Sequence, residues 1–198
     1  MKNFLGLVFY FTFMGMMQNA SAQVFEMTFE QFHTALDKRI QEDTTDKISK
    51  NLNTIKQCKK AGNTYVCTFN DRGFQSSVAR FKKLDLMNGR FTLILKLTVK
   101  TENGKISNIL LNGDRGDLVN LMQFVSTVTN IMQLFDPHIV DADGSMLALA
   151  KEMGIARGDS ASNIGQAVVT IKPYAAVKCL TTMSSITTAQ ACEWVPRF

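Results

Sequence analysis

Histidine is scarce in this sequence: two residues, His33 and His138, in a chain of 198. Neither has a catalytic partner at motif spacing, and no carboxylate pair stands at the spacing of a general acid and base. Proton-transfer chemistry therefore has few actors. Cysteine is limited to Cys58, Cys67, Cys179 and Cys192. Neither sequence-near pair has the short gap of a zinc knuckle, and both histidines lie far from the cysteines, which argues against zinc. No other metal or cofactor is implied. With 3 prolines, and no repeat, low-complexity tract or Pro/Gly-rich stretch, the chain has no linker at which to divide it. Charge is absent from Phe4 to Met17 and again from Leu118 to Phe135.

The first charge-free run follows Lys2 and precedes Ala20-Ser21-Ala22, the small-x-small pattern of a signal-peptidase site. Spanning a bilayer takes about 20 apolar residues, and this run is shorter. Residues 1–22 thus read as a signal peptide cleaved after Ala22, with 23–198 a single exported domain, periplasmic or secreted. No cysteine stands at the start of the mature chain to accept a lipid. Four cysteines in an exported chain read as two disulfides.

Thr28 with Gln31 forms a capping box, Met27 and Phe32 a hydrophobic staple, and Phe29, Phe32, Leu36 and Ile40 recur at helical spacing. A helix is predicted from Phe29 to Gln41. From Ile55 the period becomes two, and Gly62-Asn63, Asn88-Gly89 and Asn103-Gly104 mark three hairpin turns. A two-residue turn at Gly62-Asn63 sets Cys58 opposite Cys67, in a non-hydrogen-bonded pair close enough to bridge. The second hairpin sets Leu86 against Phe91 and Leu84 against Leu93. A three-residue third turn, with Gly104 as the bulge residue, sets Leu97 against Ile109 and Leu95 against Leu111. A helix follows from Leu118 to Phe135, stopped by Asp136-Pro137, with Leu118, Leu121, Met122, Val125, Met132 and Phe135 as its apolar positions. A shorter helix is expected from Ser145 to Met153, a loop from Arg157 to Gly165, and strands near Ala167 to Ile171 and Tyr174 to Leu180. A loop then carries Cys179 to Cys192. The expected fold is α+β: a mainly antiparallel meander sheet with one face covered by helices and two disulfides.

Gly158-Asp159-Ser160-Ala161-Ser162-Asn163-Ile164-Gly165 resembles the serine block of GDSL-type hydrolases, which implies Ser160 as nucleophile. That family places the block near the chain start and supplies a base from a late Asp-x-x-His. Here the block is late and no histidine follows His138, so Ser160 has no placed base. Asp141-Ala142-Asp143-Gly144-Ser145, with Glu152, resembles part of an EF-hand loop, but Met146 stands where the turn needs glycine. Asp141, Asp143 and Ser145 fit helix N-capping better.

Two features point to binding. Asn120, Gln123, Thr127, Asn130 and Gln133 make an uncharged polar stripe on the long helix, suited to a half-buried face lining a cleft or meeting a partner. Residues 38–105 carry a net charge of +9 while 106–198 carry −2. In the hairpin register above, Lys83, Arg90, Lys96 and Lys100 share the sheet face opposite the leucines. Such a face suits a protein or an anionic envelope component. It has no interleaved aromatics, which disfavours nucleic acid. The expectation is a non-catalytic binding protein of the bacterial envelope, neutralising or accessory to a protein partner. A hydrolase with a site assembled by the fold, and a carrier of small apolar ligands between the leucine face and the long helix, are the alternatives.

Overall fold

The computed structural model describes residues 25–42, 54–84, 91–114, 116–136, 167–171, 175–183 and 188–196. The proposed signal segment lies outside these residues. So do the Asn88-Gly89 turn with Leu86 and Arg90, His138, the EF-hand-like and serine segments, and the expected helix from Ser145 to Met153.

Helix α1, Phe29–Glu42, starts at the capping box: the Gln31 N–H donates to Thr28 Oγ1 (3.2 Å) and the Thr28 N–H to Gln31 Oε1 (2.8 Å). Its buried stripe is Phe29, Phe32, Leu36 and Ile40, the four residues expected from spacing. Strands β1, Ile55–Ala61, and β2, Thr64–Phe69, form the first hairpin, with Ala61 opposite Thr64 and Cys58 opposite Cys67. Gly62 supplies the positive φ of 57° at the turn. The pair is bridged, with Cα atoms 4.0 Å apart, as a non-hydrogen-bonded position allows.

The second expected hairpin is corrected. Residues Arg72–Lys83 form helix α2, because Phe74, Val78 and Phe81, spaced by four and three, gather with Val119, Phe91 and Leu93 in a small apolar cluster. Leu84 ends that helix and is 58% exposed, so it faces no strand partner at Leu93. Arg80, Lys82 and Lys83 occupy the last turn, where cations complement the negative end of the helix.

Strands β3, Leu95–Glu102, and β4, Lys105–Asp114, meet through a two-residue turn in which both Asn103 and Gly104 have positive φ, 51° and 78°. The expected three-residue loop is therefore corrected. The register runs Glu102 to Lys105 and Thr101 to Ile106, then jumps so that Lys100 faces Asn108, leaving Ser107 as the extra residue. Leu97 meets Leu111, and Val99 meets Ile109. The bulge restores the face that a two-residue turn would otherwise have reversed. The partners are displaced by two, and the leucines still point to one side.

Helix α3, Leu118–Phe135, begins at Asp117, whose Oδ1 accepts from the Asn120 N–H (2.8 Å), and ends at Asp136. Leu118 and Met122 are exposed, and Phe124, Val128, Ile131 and Met132 form its core stripe instead. Strands β5, Ala167–Ile171, β6, Ala175–Met183, and β7, Thr188–Pro196, complete the sheet. The expected loop up to Cys192 is corrected: Cys192 lies on β7, opposite and bridged to Cys179 on β6, with Cα atoms 4.1 Å apart. The seven strands of the described residues form one antiparallel sheet in the order β1-β2-β3-β4-β7-β6-β5.

The core lies between the inner sheet face and the helices α1 and α3. Leu97, Val99, Ile109, Leu111 and Trp194 of the sheet meet Phe32, Leu36, Phe124, Val128, Ile131 and Met132. The indole Nε1 of Trp194 donates to Met132 Sδ at 3.1 Å. The α+β class with two disulfides is thus the architecture of the chain.

Candidate functional site

Strand alternation divides the residues that sequence reasoning selected. On β3, Leu95, Leu97 and Val99 point into the core, and Lys96, Thr98 and Lys100 point out. Lys59 of β1 is exposed on the same outer side, two strands away, because it faces Val66, which faces Thr98. Lys96 and Lys100 are four residue steps apart, about 13 Å along the strand, and β1 lies about 10 Å from β3. Among the described residues these three ammonium groups have no ion-pair partner. The described helices pack on the opposite side of the sheet.

One cross-strand row spans the outer face: Lys59, Val66, Thr98, Leu110, Glu193, Lys178 and Val169. Charge along it is uneven. Lys178 stands opposite Glu193, whose Oε1 also accepts from Asn108 Nδ2 (2.7 Å), and Lys105 stands opposite Glu102. Lys59, Lys96 and Lys100 have no such counter-charge in register. The half of the sheet from β1 to β3 therefore carries the positive excess.

Two of the four expected basic residues, Lys96 and Lys100, are on this face. Lys83 is not, since it closes α2, and Arg90 lies outside the described residues. Lys59 was missed because the expected face was counted from the second hairpin alone. Its signal was available in the first hairpin, where alternation from Cys58 sets Lys59 outward. Lys60 points to the other side and lies over the Tyr65 ring, 5.1 Å from its centroid, which in turn stacks on Phe29. A hydrogen bond with Tyr65, and its charge, hold the Lys60 ammonium above the usual lysine range.

The polar stripe of α3 is buried rather than half-buried. Every residue from Thr127 to Gln133 is buried, so that stretch of helix presents no open face. Asn120 is occupied internally: its Oδ1 accepts from the Ile94 N–H (2.8 Å), and its Nδ2 donates to the Thr92 carbonyl (2.9 Å) and Asp117 Oδ2 (2.7 Å). Thr127 donates to the Gln123 carbonyl (2.8 Å), and Gln133 Oε1 accepts from Arg39 Nε (2.6 Å). Gln123 Oε1 and Asn130 Oδ1 are buried without a hydrogen-bond partner among the described residues.

His33 pairs with Asp37 one turn along α1, Nε2 to Oδ2 3.3 Å. They share a surface depression of about 330 Å³ with Thr34, Lys38 and Gln41. Asp37 is also structural, since its Oδ1 accepts from the Ile55 N–H (3.0 Å) at the start of β1. Between sheet and long helix, the Phe124 ring lies directly against Gly113 and fills the space over β4. Among the described residues, no group of three or more His, Cys, Asp and Glu could hold a metal ion.

Fold and surface define a disulfide-bridged α+β domain of an oxidising compartment, with one sheet face carrying unbalanced lysines. No family model matches the chain, and no curated protein or solved structure matches it.

Proposed function

We propose that the chain is an exported, non-catalytic binding protein of the bacterial envelope, periplasmic or secreted, which receives an acidic protein partner on the outer sheet face in a neutralising or accessory role. The observation that carries this reading is the set Lys59, Lys96 and Lys100: three exposed ammonium groups on one sheet face with no carboxylate opposite them in register. A rigid sheet holds such charges at fixed spacing. Attraction to an acidic surface then speeds encounter and fixes orientation more than it adds raw affinity. The two disulfides support the compartment, and the leader-like pattern of residues 1–22 supports export.

The test uses the mature chain against poly-L-glutamate and against an envelope extract. Retention should fall at least tenfold when Lys59, Lys96 and Lys100 are changed to Glu, and should weaken with rising salt. Equal retention by the reversed protein, with its circular dichroism unchanged, would remove the basic face from consideration.

A hydrolase reading has the His33–Asp37 pair in its favour. It requires that an activated ester be turned over by the wild-type chain and not by His33→Ala.

A further inference from the structure

The two edges of the sheet differ. The β1 edge carries Lys56, Lys59 and Lys60, its register breaks between Ile55 and Gln57, and its first N–H is taken by Asp37. Lysines, irregularity and capped donors are the devices that keep an edge from pairing. The β5 edge, Ala167-Val168-Val169-Thr170-Ile171, shows none of these among the described residues: the strand has no charge, no glycine and no proline, its pairing with β6 is unbroken, and Val169 is 55% exposed.

The direction of the free backbone groups on β5 follows from the second disulfide. Cys179 and Cys192 lie 4.1 Å apart at Cα, the spacing of a non-hydrogen-bonded pair, so the Cys179 N–H and C=O turn away from β7 and toward β5. Val168 faces Cys179 and is therefore the hydrogen-bonded partner. Alternation then turns the N–H and C=O of Ala167, Val169 and Ile171 outward. Among the described residues nothing pairs with them.

We propose that β5 joins two copies of this chain into a two-fold dimer, pairing antiparallel with β5 of the second copy, Val169 opposite Val169 and Ala167 opposite Ile171. Centred there, the three outward residues on each strand exchange up to about six hydrogen bonds. A second copy fits this edge on two grounds. The strand is uncharged and self-complementary, and the positive excess of each chain lies at the far end of the sheet, so like charges stay apart. The guarded β1 edge also stops further addition, and the assembly closes at two rather than growing as a filament.

The experiment is sedimentation of the mature, oxidised chain over a range of concentrations. The wild type should rise from monomer toward dimer mass. Val169→Pro deletes an outward N–H that the β5–β6 ladder does not use, and Val169→Lys installs a guarding charge. Both should remain monomeric with unchanged circular dichroism and Trp194 fluorescence. Val169→Cys, whose symmetry mates would stand about 5.5 Å apart at Cα in a hydrogen-bonded pair, should be joined across the dimer by a short bis-maleimide linker, and Thr182→Cys should not. A wild type monomeric at every concentration, a dimer that survives both Val169→Pro and Val169→Lys, or a Val169→Cys that does not cross-link would each overturn the proposal.

Discussion

Gly113 on β4 packs directly under the ring of Phe124 on α3, so closely that a Cβ at position 113 would overlap it. The glycine sets how near the long helix lies to the sheet. Gly113→Ala must push the helix outward or force Phe124 off its rotamer, at a cost of about 1–3 kcal/mol. Thermal unfolding followed by the single tryptophan, buried Trp194, measures this. Adding Phe124→Leu to Gly113→Ala should recover part of the loss, as expected of residues in contact.

The polar residues of α3 should respond in opposite ways. Asn120→Leu strands the Ile94 N–H and the Thr92 carbonyl that its amide serves, and should destabilise by about 2–3 kcal/mol in urea unfolding. Asn130→Leu removes a buried oxygen that has no partner among the described residues, and should be neutral or stabilising. Equal losses at both sites would contradict this assignment of roles.

Each disulfide closes a short loop inside one hairpin, with sequence separations of 9 and 13. By loop entropy each contributes about 3 kcal/mol. The two lie on β1–β2 and β6–β7, at different ends of the sheet, so their losses should add in Cys→Ser pair variants. Peptide mapping without reduction should return Cys58–Cys67 and Cys179–Cys192 alone.

Tyr65 raises the Lys60 pKa in the folded chain. A raised pKa means that the favourable contact is complete below the unfolded lysine value and is lost as pH climbs through the folded one. Nuclear magnetic resonance titration of the Lys60 side chain should therefore show a higher midpoint in the wild type than in Tyr65→Phe. Identical midpoints would show that Tyr65 is not the cause.

Features with short-range causes were legible in the sequence. Thr28 and Gln31 cap a helix wherever an amphipathic run follows them, and Gly62-Asn63 sets the Cys58–Cys67 register by counting alone. The long helix was legible for the same reason, its end marked by Asp136-Pro137, while its cap at Asp117 came from the structure. Helix α2 was missed because Asn88-Gly89 suggested a hairpin, and only contact with Val119 makes the Phe74, Val78 and Phe81 spacing decisive. Strand β7 was missed although Gln190, Cys192 and Trp194 alternate inward, because polar Gln190 points in and apolar Ala191 points out, which weakens the contrast. The bulge at Ser107 left no mark that composition could show. Lys96 and Lys100 were placed on the outer face correctly by alternation, and Lys83 was misplaced because the hairpin that carried it is a helix.

The segment Leu118–Phe135 is long and apolar enough to cross a membrane, yet 67% of it is buried inside the folded protein. Packing distinguishes the two fates only after folding. In the unfolded chain no tertiary structure shields this stretch, and composition alone sets its affinity for lipid. Asn120, Gln123, Thr127, Asn130 and Gln133 lower its affinity for lipid at that moment. Two of these residues leave buried oxygens unpaired in the finished core.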